Sequence, residues 1–238
     1  MPRRRGLDPL RDVQVITALN DKGELSRKAL NRRLQGELNP PSVAAPIVSG
    51  VPFRTGDKLV NGKNGSFPKA ESAKFEKSDD GENGGNEQQV YVANGEIGYA
   101  TLVEPNRMFV ELDSPRREIV VPFRKSEDNV GQDDGSNGDD AGGSLSSWDL
   151  GYAISCHKSQ GSEWREVLTI LDPSYGAKMV CDRAWLYTAI SRARDVQHLI
   201  GARSTADAMC QRVNVNQRKT FLAELVGSEV AKIQLERM

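Results

Sequence analysis

Two phrases of this chain hold the side chains best suited to chemistry: HKSQGSE, from His157 to Glu163, and YTAISRAR, from Tyr187 to Arg194. The first supplies a glycine (Gly161) that permits close backbone approach, the neutral donors Ser159, Gln160 and Ser162, and the carboxylate of Glu163. The second supplies guanidinium groups that never lose their charge, Arg192 and Arg194. Together these groups suit an anionic ligand. A Cys156–His157 nucleophile pair is not expected, because neighbours on a strand point to opposite faces, so Cys156 is assigned to the core. His198 reads as a packed or edge histidine rather than a ligand.

The elements that must position these groups follow from the runs around them. LGYAIS (Leu150 to Ser155) enters the first phrase, VLTIL (Val167 to Leu171) leaves it, and VQHLIG (Val196 to Gly201) follows the second. The order reads strand, polar turn, helix, strand, helix, strand, which is the alternation of a parallel α/β sheet. Ligands of such sheets sit where loops leave the carboxyl ends of strands, and both phrases are expected there.

The pair resembles motifs V and VI of superfamily 1 DNA helicases, most of all the RecD-like and UvrD-like proteins, including the helicase part of conjugative relaxases. The resemblance implies a RecA-like fold and assigns roles residue by residue. Arg192 matches the motif VI arginine that reaches the γ-phosphate, a finger worth about 10³–10⁵ in rate, with Arg194 as the second candidate. Gly161 and Glu163 match positions near the nucleotide, where the carboxylate can accept a ribose hydroxyl, and Gln160 lies beside them. Ser155, His157 and Lys158 match the side that faces single-stranded DNA, binding phosphate and sugar without reading sequence. Ser155 and Ser191 stand where threonine is commoner, and Trp164 where phenylalanine is.

Upstream, VQVITA (Val13 to Ala18) alternates like a strand, and ELSRKALNRRLQGEL follows the turn at Asn20 to Gly23. Leu25, Ala29, Leu30, Leu34 and Leu38 recur at helical spacing, with Arg27, Lys28, Arg32 and Arg33 opposite, so an amphipathic helix on the sheet is expected. This strand and helix resemble motif IV, matching at Leu30-Asn31, Leu34-Gln35 and Leu38-Asn39-Pro40. The resemblance implies that the basic residue of that motif contacts the phosphates of the bound nucleotide; it corresponds to Lys22 or Arg27, and the sequence leaves both open.

Short β-rich runs between residues 50 and 124, with a hairpin turn expected at Asn94-Gly95, suggest a small antiparallel β-barrel inserted into the α/β domain. It resembles the SH3-type barrel of RecD-like helicases, which touches the tracked strand in that family. Phe53, Tyr91, Tyr99 and Phe109 are either stacking platforms or barrel core. Gly56 to Lys63 (GDKLVNGK) is not a phosphate loop. It has one residue too many between its glycines, and Asn64 replaces the magnesium-binding hydroxyl. VLTILDP lacks the second acid of a Walker B strand.

The expected organisation is therefore residues 1–40 and 148–238 as two parts of a RecA-like domain, the barrel at 50–124 with a disordered loop at 69–89, and a disordered acidic linker at 125–147. A short helix capped by Ser204 and an amphipathic one capped by Asn216 are expected at the end. The resemblance implies ATP with Mg²⁺, shared with an amino-terminal RecA-like half supplied in cis or in trans. It also implies single-stranded DNA as a partner. Alone, such a domain is expected to be inactive; a fragment, a split subunit and a non-enzymatic strand- or partner-binding module all remain open.

Composition agrees with a polyanion ligand. The formal net charge of −1 conceals net −4 in Glu76 to Glu87 and net −6 in Ser126 to Ser147, which leaves +9 on the rest. Arg3 to Arg5 form a basic arm. Three scattered cysteines (Cys156, Cys181, Cys210) make neither a disulfide framework nor a CxxC zinc site and favour a reducing compartment. No membrane partner is expected, because no apolar run approaches spanning length.

Overall fold

The computed structural model describes residues 6–41, 47–48, 51–70, 88–123 and 145–213, with backbone alone at 47–48 and 51–52. In chain order the strands are β1 (Val13–Thr17), β2 (Ile47–Val48), β3 (Val51–Pro52), β4 (Lys58–Asn61), β5 (Gly65–Pro68), β6 (Gln89–Val92), β7 (Ile97–Val103), β8 (Arg107–Leu112), β9 (Arg117–Pro122), β10 (Trp148–Leu150), β11 (Ala153–Ser155), β12 (Trp164–Ile170) and β13 (Ala193–Ile200). The helices are α1 (Arg27–Leu38), α2 (Tyr175–Val180), α3 (Arg183–Ile190) and α4 (Arg203–Gln211). Arg3 to Arg5, nearly all of both acidic stretches and the helix expected from Asn216 lie outside the described residues.

The β-branched strands form a parallel sheet in the order β11-β1-β12-β13. Thr17 lies opposite Ser155, Val13 opposite Glu166, and Trp164 opposite Ala193. All four strands point the same way, so the sheet has one carboxyl edge (Thr17, Ser155, Ile170, Ile200) and one amino edge (Val13, Ala153, Trp164, Ala193). A parallel sheet flanked by helices fits the expected RecA-like fold.

Helix starts follow side-chain capping. Ser26, Ser174 and Asp182 accept from Ala29, Ala177 and Trp185 and open α1, α2 and α3. The expected cap at Ser204 is not used: α4 begins two residues earlier, at Arg203 after Ala202, with no side-chain cap.

Helix α1 departs from the expected leucine stripe. Leu25 and Leu38 are exposed, while Asn31 and Gln35 are its buried residues. The cause is the unpaired side of β11. The Asn31 amide donates to Ala153 O (2.9 Å) and accepts from Ala153 N (2.7 Å), taking the place of a neighbouring strand. Leu30 and Leu34 fill in over Val15, Ala153 and Ile170.

The inserted unit is an antiparallel sheet in the order β10-β4-β7-β8-β9, with the β5-β6 pair joined to it by the Lys69–Ile119 bridge. Trp148 to Leu150, assigned from sequence to the α/β part, instead pairs with β4 as β10. The chain returns to the parallel sheet at Gly151, where a Cβ would sit 2.7 Å from the backbone of Leu59. Asn94-Gly95 does form a turn, closed by Glu96 N to Ala93 O at 3.2 Å, but it joins β6 to β7 in different sheets and so makes no hairpin. Phe53, Tyr99 and Phe109 are core; Tyr91, at 60% exposure, is the member of that set left open.

The two units share one seam. Val60, Ile97 and Tyr99 of the insert pack with Ile16, Ile154 and Trp164 of the parallel sheet. Beside them the wholly buried Asp57 carboxylate accepts from Gln35 Nε2 (2.7 Å), Asn39 Nδ2 (2.7 Å), Arg54 N (2.7 Å) and Tyr152 Oη (2.8 Å). Burial and this carboxylate together push the Tyr152 phenol far above its usual range, so it remains a donor. Asp57 thus ties α1, the insert and the entry to β11 into one body. Asp57→Ala leaves these donors buried without an acceptor and is expected to cost about 3 kcal/mol or more. Urea melts followed by circular dichroism measure it, and a loss below about 1 kcal/mol would contradict the assignment.

Candidate functional site

The first phrase does not lead into a helix. After Ser155 the backbone takes a run of turns, with Ser159 N donating to Ser155 O (3.2 Å), Gln160 N to His157 O (3.3 Å) and Ser162 N to Ser159 O (3.2 Å). Ser159, fully buried, returns its hydroxyl to Cys156 O at 2.7 Å. The run stops at Gly161, whose φ of +83° suits glycine and whose Cβ position faces open space. Three residues later Trp164 begins β12 at the amino edge. Residues 156–163 therefore carry the chain from one edge of the sheet to the other.

The second phrase lies at the amino edge, not at a carboxyl end as expected. Trp185, Leu186 and Ala189 bury one side of α3, and Ser191-Arg192 turn the chain directly into β13. The phrases meet there. Trp164 N donates to Arg192 O (3.0 Å), and Arg192 Nη1 donates to Ser162 O (3.4 Å), between Gly161 and Glu163. Arg194 lies 3.7 Å from the Glu163 carboxylate. Arg192 Nε and Nη2 donate to Thr188 O (3.0 Å) and Ser191 Oγ (2.9 Å), which places a cation over the carboxyl end of α3, where its dipole favours one. The guanidinium is half-buried, and its bond to Ser162 is long.

Other candidates lie at the carboxyl edge, where Ser155 and Lys158 are half-buried and His157 is exposed; Gln160, also exposed, adjoins Gly161 within the crossing segment. Arg27 is held there by the backbone bonds Arg27 N to Leu19 O and Lys28 N to Asn20 O, just beyond the end of β1. Its guanidinium pairs with Asp149 at 2.6 Å and donates to Asn20 at 3.2 Å. Lys22 is exposed and lines a cleft of about 450 Å³ with Asn20, Glu24, Asp172 and Ser174. Gly161, Glu163 and Arg192 are thus brought together, whereas Lys22 and Arg27 stand at the other edge.

Electrostatics mark two further lysines. Burial, and then the nearby Arg27 charge, push the Lys158 ammonium down, while Asp149 opposes them. Lys58, 1% exposed, gives one hydrogen bond to Val13 O (3.0 Å), and its ammonium lies 5.8 Å from the centre of the Trp164 ring. Sequence reading passed over Lys58 and Asp149; each sits in a short strand whose alternation gives no sign of a buried or bridging charge. Cys156 is buried and its thiol is pushed up to about 11 by desolvation, consistent with a core role. His198 contacts Glu166 at 3.0 Å across β12 and β13. Among the described residues no group of three His, Cys, Asp or Glu could hold a metal, and no helix is long and apolar enough to cross a membrane.

Residues 150–200 match the UvrD-like helicase C-terminal domain. The segment contains both phrases and the whole amino-edge meeting point, so the resemblance of this chain is to the C-terminal part of a superfamily 1 helicase. The chain is also 28% identical over 183 residues to the ATP-dependent RecD2 DNA helicase of Deinococcus radiodurans, covering 77% of this chain but 19% of that protein. Among solved structures it is similar to the Pif1 helicase from Bacteroides in complex with ADP-AlF3 and ssDNA (TM-score 0.49, 15% identity, 98% of this chain and 48% of that one). Another is the Pif1 helicase from Candida albicans (TM-score 0.47, 14% identity, 90% and 50%). The chain spans about a fifth of the curated relative it matches and about half of these solved chains.

The amino edge rests against Lys58, and that contact has a pH signature. Desolvation pushes Lys58 down to about 7 from its ordinary 10.5. Below about pH 7 both folded and unfolded chains carry the proton, and the cost of burying it is fully present. Between about 7 and 10.5 the folded chain releases the proton while the unfolded chain keeps it, so stability rises with pH across that window. Urea midpoints taken from pH 7 to pH 9 are expected to rise more in the native chain than in Lys58→Met. Equal slopes would contradict a buried, charge-poised Lys58.

Proposed function

We propose that this chain is the C-terminal motor domain of an ATP-dependent DNA helicase, and that its two sheet edges serve two ligands. Arg192 acts as the arginine finger at the amino edge, where Gly161 and Glu163 face the nucleotide with Gln160 beside them. Ser155, His157 and Lys158 contact the sugar-phosphate backbone of a single DNA strand at the carboxyl edge. The observation that carries this reading is the position of the Arg192 guanidinium at Ser162, flanked by the glycine and the carboxylate. Its long bond to Ser162 and its bond to a neighbouring serine hydroxyl are weak enough to exchange for a phosphate oxygen.

The residues present fit the finger side of an ATP site. ATP bound there would supply the phosphoryl group; Arg192 would offset charge developing on it, and Glu163 would accept from the ribose. No Walker A sequence occurs in the chain and none of its described carboxylates cluster for a metal. The β-phosphate and Mg²⁺ are therefore assigned to an amino-terminal RecA-like half, in cis or in trans. The antiparallel insert is taken as the SH3-type barrel, supported by its five-stranded sheet and the bridge that links β5 to β9.

In an assembly with that half, Arg192→Ala is expected to reduce strand-stimulated ATP turnover by about 10³-fold or more. Binding of single-stranded DNA is expected to stay within about threefold of the native value, because the two edges are distinct. A comparable loss of both would contradict the division of labour. The second reading, a non-enzymatic strand-binding module, rests on the half-buried Lys158. It takes over if the assembled protein binds strands tightly but turns over no ATP.

A further inference from the structure

Arg27 stands at the first position of α1, where the helix dipole is unfavourable to a cation. The first helix amides give no ligand site, because Arg27 N, Lys28 N, Ala29 N and Leu30 N are bonded to Leu19 O, Asn20 O, Ser26 Oγ and Ser26 O. What holds the guanidinium there is side-chain chemistry. Nε donates to Asn20 Oδ1 at 3.2 Å and Nη1 to Asp149 Oδ2 at 2.6 Å, with the arginine side chain 12% exposed. Asp149 is itself fixed, since Oδ1 accepts from Leu150 N at 2.9 Å. Arg27 Nη2 and the Lys158 ammonium donate no hydrogen bond to any described residue. The ammonium lies at the turn of the insert, 3.5 Å from where a Cβ on Gly62 would stand.

We infer that Arg27, Lys158 and Asp149 form one phosphodiester site at the seam between insert and parallel sheet, with Asp149 as its positioning residue. Two cations and one carboxylate leave a single net positive charge, which matches the single negative charge of a phosphodiester. Asp149, on β10 opposite Val60, holds the Arg27 guanidinium, and the Lys158 ammonium lies beside Gly62, whose amide donates to Ser147 O at 2.6 Å at the end of the same strand pair. The inference rests on the strand-binding reading of Lys158 and moves Arg27 from the nucleotide to the strand. It also predicts an unusual sign: removing a negative charge from this basic site weakens the binding of a polyanion.

The test is fluorescence anisotropy of the full chain with labelled oligo-dT across a salt series. Lys158→Ala and Arg27→Ala are each expected to weaken binding roughly tenfold and to lower the slope of log affinity against log salt by about 0.7. Asp149→Asn is expected to weaken binding to a similar degree, with the same loss of slope and a melting temperature near the native one. Tighter or unchanged binding by Asp149→Asn would overturn the inference, because a carboxylate that merely dilutes the local charge gives that result. Should Asp149→Asn fail to fold, Asn20→Ala releases the other side of the guanidinium without changing charge. The same loss is then expected, and unchanged affinity overturns the inference. If Lys158→Ala leaves binding intact, the strand-binding reading of this edge fails. If it weakens binding while Asp149→Asn does not, the inference is overturned and the strand-binding reading of Lys158 stands.

Discussion

A short crossover governs this structure. β11 and β12 run parallel on either side of β1, yet only residues 156–163 join them. Parallel neighbours normally require a dozen or more residues, most often a helix, to return the chain to the starting edge. Eight residues can do so only by traversing the sheet directly, first in turns and then extended after Gly161. The same short segment must therefore hold Lys158 near the carboxyl edge and set Glu163 at the amino edge. Arg192 follows from this, because Trp164 at the end of the crossover is hydrogen-bonded to it.

A crossover without a helix of its own needs support from elsewhere, and the insert supplies it. Val60, Ile97 and Tyr99 cover the apolar residues beside the segment, while Lys58 reaches Val13 and the Trp164 ring at its far end. Gly62 and Gly95 approach Lys158 at its near end. Buried charge is costly in such a seam, and the chain handles it in two ways. Asp57 is surrounded by donors, while Lys58 has a single acceptor among the described residues and loses its proton easily. The first fixes the union of the two units; the second leaves the amino edge sensitive to pH.

Much of this was legible in the sequence where periodicity and turn chemistry agree. The strand at Val13, the β12 and β13 runs and the antiparallel texture of the insert follow from β-branched runs and glycine placement, while the pairing of the two phrases followed from their resemblance to helicase motifs. The sheet edge of each phrase did not follow. Strand direction says where a carboxyl end lies, but not that a helix-to-strand junction such as Ser191-Arg192 brings an arginine to the opposite edge. The burial of Asn31 and Gln35 was masked by the leucines around them, because hydrophobic spacing carries no information about an unpaired strand edge. Trp148 to Leu150 looked like the entry to β11. Only its pairing with β4 shows that Gly151 is the true crossing point.

The central claim is that one strand-spanning segment serves different ligands at its two ends. Backbone amide NMR of the chain titrated with oligo-dT tests it most directly. The account predicts that shifts concentrate at Ser155, His157, Lys158 and the start of α1, leaving Gly161 to Glu163 and Ser191 to Arg194 nearly unmoved. Perturbation centred on Arg192 and Glu163, with Lys158 and Arg27 silent, would contradict it.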